Sequence, residues 1–384
     1  MLGYLINLIF RWVSIRRWNN YPRIEEFVED EHISLLLQVS YVVSKILNEK
    51  WQKIDLVYIY KNIFWGSFFT FIYSDINFEV KKYLKQKYYW TYEKLWEQID
   101  WFFDKLKLPE NLKSDWKQVY TTKINWKLFD TEKSLEDEII IFVKNIVILF
   151  EIWTNITFYP HIYQPIYERV EKEIKVLNKK LWFWELDLVY DYTNFLVGLK
   201  FAYRWNRLNR TYPISVLSHL FLVFTFSYIL GSLKNFDNEE LEKICSISIM
   251  HDLPEALTGD IITPTKNAVP NFRKIIEEIE NNLVEKKILS KFSNYKFKEE
   301  LRDYILKPFE SNLWKIAKWA DNLSAMFEAK LENTEDFKKV YYDIKRYLWS
   351  VQDKELDYIL KYWVDYFDDD VETKWKKFIW MIKE

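Results

Sequence analysis

The sequence predicts an all-α fold, and three observations lead to it. Only five of 384 residues are glycine, against a usual share of ~7%, which argues against turn-rich β sandwiches and Gly-rich phosphate loops. Apolar residues recur at spacings of three and four with Lys and Glu between them. No run of strict two-residue alternation bounded by Gly or Asn-Gly turns appears.

In chain order, Met1 to Phe10 is apolar but short, lacks a basic leading segment, and runs into Arg11, Trp12, Arg16 and Arg17 without a small-residue cleavage site. It does not read as a signal peptide. An apolar helix follows from His32, and Leu95, Ile99, Phe102 and Leu106 mark one face of another. Ile139 to Phe158 is apolar but interrupted by Lys144, Asn145 and Glu151. Tyr212 to Leu233 is long enough for a membrane span, yet it carries His219 and four serines. A helix apolar on all sides also suits the centre of a large core, and that is the expectation here. Asp237 and Glu240 form a capping box opening a helix that ends at His251-Asp252. Pro254 separates this helix from a short one, Pro254 to Thr258, which Gly259 stops. Ile275, Ile279 and Leu283, and then Val340, Ile344, Leu348 and Val351, predict two further amphipathic helices.

Composition narrows the function. With 55 basic against 57 acidic residues the net charge is -2, so no global field favours nucleic acid. The lone Cys245 excludes an internal disulfide and any multi-cysteine metal site, and places the chain in a reducing compartment. A cytoplasmic protein without membrane or nucleic-acid partners is expected.

An internal repeat organises the chain. Arg17-Trp18-Asn19 recurs 187 residues later as Arg204-Trp205-Asn206, Arg23 as Arg210, and His32 as His219. At an offset of 185, Ser74-Asp75-Ile76 falls on Gly259-Asp260-Ile261, and at 177 Phe142 to Glu151 falls on Trp319 to Glu328. The slow drift is what loop insertions produce. Two homologous helical domains are expected, at about 1–185 and 186–384, each with a core of ordinary size.

The second copy carries the chemistry. His251 and Asp252 lie at a helix end, while His219 and Asp321 sit inside apolar helix faces. A core histidine is most often a hydrogen-bonded structural residue. A buried Asp321 is harder to dismiss, because an unpaired carboxylate there costs several kcal/mol or neutralises. Two imidazoles and two carboxylates suit Mn, Fe, Co, Ni or Zn more than Mg. Metal binding lowers the pKa of a water and makes a nucleophile near neutral pH.

The order His219, His251-Asp252, Asp321 resembles the HD superfamily of metal-dependent phosphohydrolases. HDLPEALTGDIITPTK from His251 to Lys266, Arg204-Trp205 ahead of His219, and the pattern from Ala320 to Glu328 resemble its 5'-deoxynucleotidase (YfbR-like) branch. The resemblance spans roughly 200–350. It implies a bundle of helices around one divalent ion and release of phosphate from (deoxy)nucleoside 5'-monophosphates; with the internal repeat, two tandem HD-type helical bundles are expected. It also implies metal ligation by His219, His251, Asp252 and Asp321. Glu255 matches the acidic residue that positions or protonates at the scissile phosphate, and Asp260 the residue near the sugar. Arg204, with Trp205 and Lys266, matches the substrate side. Each also has a plainer reading, since Glu255 favours a helix N-terminus, Asp260 could cap a turn and Arg204 could be a surface cation. Ser218 departs from the family, which often places an acidic residue directly before the first His.

In the first copy, His251-Asp252 becomes Gly66-Ser67, Glu255 becomes Thr70, and Asp321 becomes Lys144, with only His32 kept. That copy is expected to be inactive, with Lys144 supplying charge in place of the ion. The two halves are expected to pair as an internal pseudo-dimer in a monomer, or the chain to form a homodimer. Alternatives are a deoxynucleoside triphosphate hydrolase or other HD phosphohydrolase, and a non-catalytic nucleotide-binding scaffold. Two-metal HD enzymes need further histidines, and none follows His251. His161 is left with a structural role by default.

Overall fold

The computed structural model describes residues 12–361 except 51–52, 107, 129–132, 311–312 and 333, together with Leu5 and Ile9. Most of the Met1 to Phe10 segment therefore lies outside the described residues. Among those described the fold is all-α. The only β pairings are two isolated antiparallel bridges, Arg16 with Val28 and Tyr203 with Ser215.

The first half contains α1 (Glu29–Lys50), α2 (Leu56–Gly66), the short α3 (Phe68–Ile72), α4 (Phe78–Lys87), α5 (Tyr89–Lys105), α6 (Glu110–Leu128), α7 (Leu135–Phe158) and α8 (Pro160–Lys180). The second contains α9 (Leu186–Val197), α10 (Val216–Leu233), α11 (Asn238–Met250), the short α12 (Glu255–Thr258) and α13 (Thr263–Lys266), then α14 (Phe272–Lys287), α15 (Phe297–Leu306), α16 (Trp314–Lys330), α17 (Glu335–Ser350) and α18 (Lys354–Ile359). Helix starts follow from local chemistry. Asp237 accepts from the Glu240 N–H at 2.9 Å and Glu240 accepts from the Asp237 N–H at 3.3 Å, the expected capping box. Gly259 ends α12 at φ +71, where a Cβ would touch nothing within 4 Å, so the need for glycine is conformational alone.

The apolar segments land where burial is greatest. In α10 the apolar window is 94% buried, so the helix is the centre of the core. Helix α7 is 61% buried over its window and packs on α1 and α8. Both are long and apolar enough to cross a membrane by length and composition; protein covers nearly all of α10, whereas α7 leaves Trp153 and Phe158 exposed. The stripe expected on α14 is displaced: Ile275 and Ile279 are exposed, while Ile276 and Val284 turn inward. Neighbouring apolar residues offer two possible faces, and packing against α12, α13 and the turn at Leu289–Phe292 selects between them. His161 is exposed near the start of α8.

The expected boundary near residue 185 does not interrupt the apolar interior, which is continuous from the first half into the second. The reason is the packing of α1 on α10, the two helices richest in buried side chains. Polar contacts stitch the same seam. The Tyr60 hydroxyl meets Ser246 at 3.0 Å, Trp65 donates to the Tyr228 hydroxyl at 2.9 Å, and Lys45 bridges Glu242 and Glu300, each at 2.8 Å. Where α1 and α10 begin, Ser215 donates to Glu31 at 2.8 Å beside the buried Asp30.

Burial raises the Asp30 carboxyl to about 7 despite a hydrogen bond from Ser218. A group with a folded pKa above its unfolded value contributes stability that is complete below the unfolded pKa of about 4 and is lost as pH climbs to the folded value. Asp30→Asn removes that loss. Its melting temperature is expected to exceed that of the parent by a few degrees at pH 8, with the gap closing as pH falls toward 5. A gap that does not change with pH would contradict this.

Candidate metal centre

Three helices and one loop meet at a single point. His219 lies in the first turn of α10, whose N-cap Ser215 accepts from the Ser218 N–H at 3.1 Å. His251 caps the C-terminus of α11, and Asp252 follows before Pro254 turns the chain into α12. Helix α16 places Asp321, Ser324 and Glu328 on one face through three and four spacing. The loop carrying Arg204 and Trp205 is pinned to the start of α10 by the Tyr203–Ser215 bridge, with the Arg204 N–H donating to Ile214 at 3.0 Å.

Ligand atoms of His219, His251 and Asp252 lie within 4.8 Å of one another. The nearest Asp252 oxygen is 3.6 Å from His219 Nε2 and 3.3 Å from His251 Nε2, and an Asp321 oxygen is 3.3 Å from His219 Nε2. His219, His251 and Asp252 are therefore together, and Asp321 joins them through His219. Their other atoms are already engaged. His219 Nδ1 lies 2.6 Å from Glu328, and His251 Nδ1 lies 2.9 Å from the Ser248 carbonyl, so in each ring the outer nitrogen is the donor. Both Nε2 atoms are left buried without a hydrogen-bond partner. Buried polar atoms without partners are costly, and two imidazole nitrogens facing the same carboxylate fit a divalent cation between them.

The electrostatics are set by Glu328. Burial acts against its charge, but Arg204 and His219 override burial and hold the carboxyl far below its ordinary pKa. Burial and Arg204 pull the His219 pKa down, while Glu328 and Asp321 push it up to about 8. His251 is lowered, chiefly by burial. The Glu255 carboxyl is raised well above its usual range by burial and then by Asp252, and its Oε2 has no partner.

The remaining expected residues take different places. Arg204 spans Glu328 at 3.2 Å and Asp252 at 3.6 Å, with 13% side-chain exposure that makes it no simple surface cation. Trp205 spends its indole N–H on Glu328 at 2.8 Å and packs against Phe337, so it buttresses α16. Lys266 lies 3.6 Å from Glu280 and, like Asp260, is close enough to act on Glu255. Three participants had no role in the sequence reading. Glu328 was visible only as the last position of a motif. Lys318 holds the second Asp321 oxygen at 2.7 Å, and its position three residues earlier on the same helix was the available signal. Glu280 has its pKa raised by burial, and the Lys266 ammonium opposes that rise.

The first half contains the same framework without the ligands. Arg17 contacts Glu29 at 2.7 Å and Glu151 at 2.8 Å, Trp18 donates to Glu151 at 2.9 Å, and His32 Nδ1 lies 2.6 Å from Glu151. Trp18 and Trp205 share the same left-handed backbone, at φ 57 and 58. Gly66 ends α2 as Met250 and His251 end α11.

Residues 191–367 match the family described as 5'-deoxynucleotidase YfbR-like. A 5'-deoxynucleotidase of Photorhabdus laumondii is 27% identical over 180 residues, covering 45% of this chain and 90% of the relative. The 5'-deoxynucleotidase YfbR of Salmonella arizonae is 27% identical over 186 residues, covering 45% and 89%. A dATP triphosphohydrolase of cyanophage S-2L is 28% identical over 81 residues, covering 21% of this chain and 45% of that protein. A solved HD-domain phosphohydrolase of Listeria innocua aligns at 19% identity with a TM-score of 0.41, covering 48% and 90%. Residues 191–367, which carry His219, the His251-Asp252 pair and Asp321, thus resemble the YfbR-like branch of the HD phosphohydrolases.

Proposed function

We propose that the second half, about 186–384, hydrolyses (deoxy)nucleoside 5'-monophosphates to nucleoside and phosphate with one divalent ion, in a reducing cytoplasm. The observation that carries this reading is the pair of buried, unpartnered Nε2 atoms of His219 and His251 facing Asp252 and Asp321. A divalent ion bound there supplies Lewis acidity at the phosphoryl group and lowers the pKa of an attacking water. Mn, Fe, Co, Ni and Zn match the mixed nitrogen and oxygen donors better than Mg.

The protein's own groups supply the rest. Arg204, kept cationic by the surrounding carboxylates, draws the phosphate oxygens toward the ligand cluster. Lys266 adds a second positive charge on the far side of Glu255. Glu255, its carboxyl raised well above the usual range by burial, gives a proton to the ester oxygen as the phosphorus–oxygen bond breaks and water's oxygen joins phosphorus, and the proton that the water sheds restores the carboxyl. Asp260 then faces the sugar. Trp205 serves as a positioning residue through Glu328.

The dATP triphosphohydrolase similarity supports a second reading, cleavage of deoxynucleoside triphosphates with release of the whole triphosphate. The first half is proposed as an inactive copy that buttresses the second across their shared seam.

Phosphate release from a panel of 5'-nucleotides with Mn, Co and Mg separates the readings. Wild type is expected to release phosphate from monophosphates and to lose activity on chelation. Asp252→Ala is expected to lose at least about a hundredfold. Metal-independent release, or none from any nucleotide, would refute the proposal, and triphosphate release from dATP would favour the second reading.

Glu255→Gln is expected to lower kcat by roughly 10²–10³ while metal content, read by elemental analysis, stays unchanged. Glu328→Gln is expected to weaken metal affinity by about 10–100-fold, with activity recovering at high metal concentration. Equal loss at every metal concentration would mean that Glu328 does not act through His219.

A further inference from the structure

Phe309 stands in the turn between α15 and α16, where the Glu310 N–H donates to the Lys307 carbonyl at 3.1 Å. Its side chain is 38% exposed, yet it also reaches the ligand cluster. The ring lies edge-on to the His251 imidazole, with centroids 6.4 Å apart and planes at 63°. The Lys318 ammonium sits 5.0 Å over the same ring, and Lys318 is itself tied to Asp321 at 2.7 Å. Phe309 is therefore held from two sides by groups that meet at the candidate metal centre.

Elsewhere around the cluster charged groups prevail. Arg204 faces Asp252 and Glu328, and the Lys266–Glu280 pair stands beside Glu255. Trp205 is a second aromatic ring at the cluster, but its contacts are already made. Its N–H is spent on Glu328 at 2.8 Å, Phe337 packs 5.8 Å from it, and the Arg204 guanidinium lies 5.9 Å from its centroid. Phe309 carries Lys318 on one face, and the exposed remainder of its ring is open to a flat group arriving from solvent.

We infer that Phe309 is a specificity-determining residue: its ring stacks on the base of a nucleotide whose phosphate meets Arg204 and the ligand cluster, and so selects nucleotides over phosphate esters that lack a base. The position of the phosphate rests on the function proposed above. Every nucleobase has a π face, so stacking recognises the class without choosing sharply among its members. A ring already fixed by His251 and Lys318 loses little freedom when the base arrives.

The test compares the metal-loaded full chain on 5'-dAMP and on 2-deoxyribose 5-phosphate, which keeps the sugar and phosphate but has no base. Phe309→Leu, which retains apolar packing on His251 and loses the π face, is expected to raise KM for dAMP at least about tenfold with kcat within about twofold. Turnover of deoxyribose phosphate and metal content, read by elemental analysis, are expected to stay as in wild type, and Phe309→Tyr is expected to restore the wild-type KM. Calorimetric titration with the uncleavable 5'-methylenephosphonate analogue of dAMP reads the same contact without turnover, and its affinity is expected to fall in Phe309→Leu by the factor seen in KM. If wild type cleaves neither ester but binds the analogue in a Phe309-dependent way, the hydrolytic reading falls and the base contact stands. Equal losses on both esters, loss of metal, or unchanged affinity for dAMP and its analogue in Phe309→Leu would overturn the inference.

Discussion

A single buried carboxylate, Glu328, fixes the geometry of the candidate metal centre. It has no solvent exposure, and it holds His219, Arg204 and Trp205 at once from the end of α16. Each contact compensates for the burial of a charge that would otherwise cost several kcal/mol. The result reaches beyond the carboxylate. The imidazole is fixed in one orientation, the guanidinium is tethered next to Asp252, and the loop before α10 is clamped to α16. Removing one partner from such a buried set costs about 3–5 kcal/mol in general, because the remaining charges stay buried. A similar set surrounds Glu151 in the first half, where Arg17, Trp18 and His32 meet one carboxylate without a His-Asp pair beside them.

The two glutamate-bound histidines, one in each half, sit in different fields. His219 is pushed up to about 8, whereas His32, with the same glutamate contact, is lowered by burial and Arg17. The difference is Asp321, which faces His219 Nε2 at 3.3 Å and raises its pKa, whereas among the described residues no such carboxylate acts on His32 beyond Glu151 and Glu29.

Much of this was legible in the sequence, for identifiable reasons. Asp237 and Glu240 announce a cap because the interaction is local, and Gly259 announces a stop because few residues tolerate its backbone. His219 and Asp321 stood out because polar residues inside apolar faces need partners, and the resemblance joined them to the His251-Asp252 pair at a helix end. Less was visible where tertiary packing decides. Ile275 and Ile279 formed as good a stripe as Ile276 and Val284, and only the neighbouring helices choose. Glu328 looked like a motif position because its partners lie more than a hundred residues away. Phe309 gave no sign at all, since its contact with His251 exists only in three dimensions.

The continuous interior between α1 and α10 has a consequence for how the halves can change. In a two-fold dimer every substitution appears on both sides of the interface, so a residue cannot be lost from one site and kept in the other. A seam enclosed within one chain removes that restriction. It also makes assembly unimolecular, so the pairing of α1 with α10 is not weakened by dilution. The two sides are then free to hold opposite charge at equivalent positions, as Asp321 and Lys144 do, while sharing one interior.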